Sequence, residues 1–119
     1  MDLQYNYVAK LGRVVDGDTV DLDVDLGFHC TLHLRFRLLG VDTPERGHKD
    51  FQDASDALHR LFLTHANLDG YVHVESFKTG KYGRWLATIS TIDGTVNFNE
   101  IMAKRWPGPI YKQGEDDGR

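Results

Sequence analysis

The chain has 119 residues, 40% hydrophobic and 27% charged, with a net charge of −4, which suits one compact domain and excludes two. No run of 18 apolar residues exists and the first residues lack the basic and apolar regions of a secretory leader, so neither a membrane span nor a signal peptide is expected. An intracellular or already processed form, cytoplasmic if anything, is the expectation. One cysteine, Cys30, cannot form an internal disulfide, and 14 Lys and Arg against 18 Asp and Glu is the wrong sign for holding polyanions by bulk charge. Any nucleic-acid role must be local.

In chain order, Val8, Leu11, Val14 and Val15 lie in an extended stretch that halts at the turn Asp16-Gly17-Asp18. Val20, Leu22, Val24 and Leu26 then alternate with Asp21, Asp23 and Asp25. Cys30, Leu32, Leu34, Phe36 and Leu38 alternate with His29, Thr31, His33, Arg35 and Arg37. These two strands predict a hairpin turning near Gly27, one outer face acidic and the other basic, so cross-strand charge pairing accounts for this His and Arg run except Arg37. His29, Cys30 and His33 do not make a metal site, because alternation puts Cys30 on the face opposite both histidines.

After a loop marked by Pro44 and the charged run Arg46–Asp50, the spacing turns helical. Ala54, Ala57, Leu58, Leu61, Phe62 and His65 form one stripe, with Asp50 or Asp53 as N-cap and Gly70 past the end. Strands resume at Val72 and Val74 and again at Trp85, Ala87 and Ile89. A short helix from about Val96 to Lys104 is expected to bury Val96, Ile101 and Met102. The fold class is therefore β-rich α+β: a five-stranded OB-type barrel with a helix inserted between strands 3 and 4 and a short C-terminal helix. Residues 1–111 form the domain, and 112–119, without apolar groups, a disordered tail.

Two places carry chemistry. The acidic turns Asp16-Gly17-Asp18-Thr19 and Asp42-Thr43-Pro44-Glu45 are joined by the hairpin, so Asp18 and Asp42 meet at one end of the barrel. Carboxylates clustered there repel unless a cation sits among them, and hard oxygen donors suit Ca²⁺ or Mg²⁺. Asp16 reads as a turn former. The second place is the pair Arg37 and Arg84, which can fork onto a phosphate.

The strings VVDGDTV (Val14 to Val20), FRLLGVDTPE (Phe36 to Glu45) and GKYGRWLA (Gly80 to Ala87), in this order with a helix between the last two, resemble the staphylococcal nuclease (thermonuclease) family over about residues 8–111. The resemblance implies an OB-type barrel and Ca²⁺-dependent hydrolysis of DNA and RNA phosphodiesters, with one Ca²⁺ ion. It implies Asp18 and Asp42 as carboxylate ligands and Thr43 as a backbone-carbonyl ligand. Glu45 would activate or orient the attacking water, and Arg37 and Arg84 would hold the phosphate. Lys81 and Tyr82 would contact a terminal phosphate, and Tyr111, with Trp106 nearby, would flank the base. The hairpin from Asp21 to Arg35 is longer than that of the family's best-known member, and the family's closing C-terminal helix is expected to be missing. A monomer acting on single-stranded DNA or RNA with little sequence specificity and no membrane association is the expectation. The competing reading is a non-catalytic nucleic-acid or protein binding module of the same fold.

Overall fold

The computed structural model describes residues 5–77 and 85–108. Five strands and two helices follow in the order β1 (Tyr5–Asp16), β2 (Thr19–Asp25), β3 (Thr31–Leu38), α1 (Phe51–His65), β4 (Tyr71–Phe77), β5 (Trp85–Ser90) and α2 (Phe98–Arg105). The strands close into a barrel in the order β1-β2-β3-β5-β4, the OB-type plan that the alternation predicts. The expected tail at 112–119 lies outside the described residues.

Alternation fills the barrel. Val20, Leu22 and Val24 of β2, Phe36 and Leu38 of β3, Val72 and Val74 of β4, and Ala87 and Ile89 of β5 all point inward and are buried. Each such Val, Leu or Phe contributes about 1.5–3 kcal/mol by leaving water. The helices add Leu58 and Phe62 from α1 and Phe98 and Met102 from α2 to the same core, the rings of Phe62 and Phe98 meeting edge to face at 5.1 Å.

On the outer face of the β2–β3 hairpin the charge pairing is present. Asp21 faces Arg35 across the ladder and Asp23 faces His33. Arg35 grips Asp21 through Nε at 2.7 Å and Nη2 at 3.1 Å, and His33 Nδ1 bonds the Asp23 carboxylate. The Arg35 hydrogen bond and charge hold the Asp21 carboxyl below its ordinary value. The turn itself places Gly27, Phe28 and His29 in left-handed conformations, with Cys30 exposed.

Asp50 holds the N-cap position of α1 as expected, though its side chain makes no capping bond, and the helix gives way at Ala66, whose extended backbone turns the chain away. Gly70 instead closes a separate turn, its N–H donating to the Asn67 carbonyl at 2.8 Å with φ of +86°. Helix α2 begins at Phe98, because the Asn97 side chain caps it by accepting the Glu100 N–H at 3.0 Å. That start puts Phe98 and Met102, four residues apart, on the inward face. Val96 is half-buried ahead of the helix, and Ile101, expected inside, is 39% exposed.

Among the described residues the barrel closes through three parallel pairs, Phe36 with Trp85, Arg37 with Leu86 and Leu38 with Ala87. Asn99 of α2, buried, stitches this region: its Oδ1 accepts the Ile89 N–H at 2.9 Å and its Nδ2 donates to the carbonyls of Leu39 at 2.8 Å and Ala87 at 2.9 Å. Truncation to alanine strands buried polar groups at roughly 1–3 kcal/mol each, less what relaxation recovers, so Asn99→Ala should lose roughly 2–5 kcal/mol in urea unfolding. A loss under about 0.5 kcal/mol, typical of a surface site, would show that the amide is not needed there.

Candidate active site

The site grows from the tight turn between β1 and β2 and from the loop that follows β3. Gly17 makes the first of these possible. A Cβ at this position would stand 2.6 Å from the Ala54 Cβ on α1 and 2.7 Å from the Thr43 Cγ2, so only glycine lets the turn lie under both. The Asp18 carbonyl accepts the Leu38 N–H at 2.8 Å, tying the turn to the end of β3.

Asp18 is thereby buried, its side chain 7% exposed. Its Oδ1 accepts the Thr19 hydroxyl at 3.0 Å and its Oδ2 accepts the Thr43 N–H at 3.1 Å. Arg37 approaches the same Oδ2, with Nη2 at 3.4 Å. The same nitrogen lies 3.5 Å from Asp42 Oδ1 and donates to the Val41 carbonyl at 3.0 Å. Burial works against the charge on Asp18, yet hydrogen bonding with Asp16, the Thr43 N–H and the Arg37 cation together hold its carboxyl below the ordinary value.

The expected meeting of Asp18 and Asp42 is therefore present, with a guanidinium between the two carboxylates. Asp42 is the outer member, its side chain 62% exposed, whereas Arg37 is 25% exposed. Glu45 is exposed, and its carbonyl accepts the His48 N–H at 3.0 Å. Among the described residues no group of three or more His, Cys, Asp and Glu comes together. The mutual repulsion expected of clustered carboxylates is met here by Arg37. Thr43 is buried, and its hydroxyl oxygen has no hydrogen-bond partner. Lys81, Tyr82, Arg84 and Tyr111 lie outside the described residues.

The oxygen donors at this mouth, the two carboxylates of Asp18 and Asp42, have the chemistry of a hard divalent cation site rather than of a thiophilic one. Through Arg37 only Nη2 is engaged in the contacts described, which leaves Nε and Nη1 to fork onto an oxyanion. Trp85, at the start of β5, is 41% exposed, and Trp106 is half-buried under the Arg105 guanidinium at 4.4 Å.

Asp16 is more than the turn former its sequence position suggests. Its Oδ1 accepts the Asp18 N–H at 3.1 Å, and burial, then hydrogen bonding with and the charge of Asp18, push its carboxyl up to about 6. The signal was available in the spacing, since two aspartates flanking one glycine in a tight turn must share a small volume. The strap after α2 also belongs to the site and has no sequence signal: the Asp42 N–H donates to the Trp106 carbonyl at 3.0 Å.

The Asp16 shift has a definite sign. A carboxyl raised above its unfolded 3.8 is held more tightly protonated by the folded chain, so its contribution is full below about pH 4 and is lost as pH rises to about 6. Asp18, shifted the other way, contributes fully above about pH 4 and loses its contribution only as pH falls below that, so it adds no slope between pH 4 and 6. In buffer with chelator, wild type should therefore lose stability between pH 4 and 6 relative to Asp16→Asn. Equal pH slopes for the two proteins in urea unfolding would show that Asp16 keeps an ordinary affinity for its proton.

Residues 35–116, about two thirds of the chain, match the protein family described as staphylococcal nuclease homologue. No curated protein matches the chain.

Proposed function

The chain belongs to the family of staphylococcal nuclease homologues, a nuclease-like or nucleic-acid-binding domain, and from that premise we propose that it is a Ca²⁺-dependent phosphodiesterase acting on DNA or RNA. The observation that supports this most is the position of Arg37, one guanidinium nitrogen between the carboxylates of Asp18 and Asp42 at the mouth of a closed barrel. A phosphodiester hydrolase needs carboxylates at such a mouth, because the cation they would hold stabilises charge on the phosphoryl oxygens and acidifies a water.

In this reading Asp18, Asp42 and the Thr43 carbonyl hold one Ca²⁺. Arg37 receives a phosphate oxygen through its free Nε and Nη1, and Arg84 takes another, so that both cations stand where negative charge grows during in-line attack. Glu45 accepts a proton from the attacking water or orients it. Its exposure on the loop three residues beyond Asp42 gives the water access to it. Lys81 and Tyr82 contact a terminal phosphate, and Tyr111 stacks on a base. Stacking and phosphate contacts read no base edges, so the substrate is sequence-tolerant and single-stranded. One chain supplies the whole set, and a monomer suffices.

Cleavage of single-stranded DNA or RNA should require Ca²⁺ and stop in chelator. Loss of one transition-state contact costs roughly 10²- to 10³-fold, so Arg37→Ala should fall by about that factor. Arg35→Ala, whose side chain is occupied by Asp21, should change the rate by less than about threefold. Undiminished cutting in chelator, or equal loss in both variants, overturns the assignment. Binding of single strands without cutting, insensitive to chelator, is the outcome that a binding module gives.

Ca²⁺ with a nucleoside phosphate should stabilise the fold as a ligand of the native state alone. At a hundredfold excess over Kd this is about 2.7 kcal/mol, or roughly 10 °C in Tm for a domain of this size. Asp42→Ala should abolish the shift. Because Arg37 already offsets the charge of Asp42, the substitution should move the metal-free Tm by no more than about 2 °C. An Asp42→Ala protein that still shifts like wild type removes Asp42 from the cation site.

A further inference from the structure

Trp106-Pro107-Gly108, the segment leaving α2, is laid along the loop that carries Asp42. The Asp42 N–H donates to the Trp106 carbonyl at 3.0 Å, the Gly108 N–H donates to the Gly40 carbonyl at 2.9 Å, and Val41 and Pro107 are bridge partners. This strap grips three consecutive residues of the loop, one of them a proposed ligand and another, Val41, the carbonyl partner of Arg37.

Gly108 has no left-handed backbone to explain it. What it has is proximity: a Cβ there would stand 2.8 Å from the Val41 carbonyl carbon, 2.9 Å from the Asp42 nitrogen and 2.9 Å from the Asp42 Cβ. Two of these are backbone atoms, which cannot swing aside as a side-chain end does. Any side chain at 108 must push residues 41 and 42 away from the strap. The opposite wall has an anchor of its own, because the Asp18 carbonyl accepts the Leu38 N–H at the end of β3.

We infer that Gly108 is a positioning residue for the cation site: its missing side chain lets the strap set the distance of Asp42 from Asp18. The inference rests on the metal reading proposed above. It assigns to the end of α2 a role in a site otherwise built from β1, β2, β3 and the loop after β3. Substituting a residue that orients a ligand weakens a metal by about 10- to 100-fold, and Gly108→Ala should weaken Ca²⁺ by about that factor while the chain stays folded.

The test uses the full chain and reads binding and geometry rather than turnover. Calorimetric titration with Ca²⁺ alone should show the weaker affinity in Gly108→Ala, and Pro107→Ala, which leaves the backbone contacts in place, should titrate like wild type. In metal-free protein, amide exchange followed by NMR should show that Asp42 loses protection in Gly108→Ala while Thr43, bonded to Asp18, keeps it. Wild-type affinity in Gly108→Ala with Asp42 still protected overturns the inference. If Gly108→Ala does not fold, the wild type decides: Ca²⁺ should slow exchange at the Asp42 and Gly108 amides together, and a response at Asp42 alone overturns it. Failure of wild type to bind Ca²⁺ overturns the metal reading instead, and the metal-free exchange then judges whether Gly108 positions Asp42.

Discussion

A carboxylate removed from water costs several kcal/mol unless donors meet it, and the architecture around the mouth of this barrel is the answer to one such group, Asp18. Its donors come from three places: Thr19 at the start of β2, Arg37 near the end of β3, and the Thr43 N–H in the loop beyond. Satisfying all of them at once fixes where the β1–β2 turn lies against that loop. Gly17 then has to be bare, since the turn is pressed between Thr43 and α1. Arg37 in its turn reaches Asp42 and the Val41 carbonyl, so a single buried charge orders both walls of the mouth.

The barrel was legible because alternation is a local property. The seven residues of β2 and the eight of β3 state in themselves which side chains face inward, and the acidic and basic outer faces state their register. Alternation could not separate Arg35 from Arg37, which lie on one face two residues apart. Their difference is tertiary: Arg35 faces Asp21 in the hairpin, whereas Arg37 lies beside β5 and next to the Asp18 turn. The place of Arg37 just before the loop singles it out in the sequence, and the resemblance in FRLLGVDTPE agrees.

What escaped the sequence shares one cause, namely contact between residues far apart in the chain. Asn99 looks like an ordinary polar helix residue until the barrel brings it Leu39, Ala87 and Ile89. Ile101 reads as core by hydropathy, but the Asn97 cap fixes a helical phase that gives the inward positions to Phe98 and Met102. Gly17 reads as a turn residue and Gly108 carries no sequence signal, yet each is bare because another segment passes within van der Waals reach. A missing side chain has no periodicity to detect.

The three-pair closure between β3 and β5 joins segments separated by all of α1 and β4, and the ordering entropy of that long loop must be met before the pairs return anything. Among the described residues Arg37, paired with Leu86, is the middle rung of this ladder. Hairpin pairing of β1, β2 and β3 can form early from neighbours in sequence, but it leaves Arg37 on an open edge. The β1–β2–β3 meander already brings Arg37 to Asp18, but Asp42 is held from its other side by the strap after α2, so the full geometry of the mouth belongs to the finished barrel.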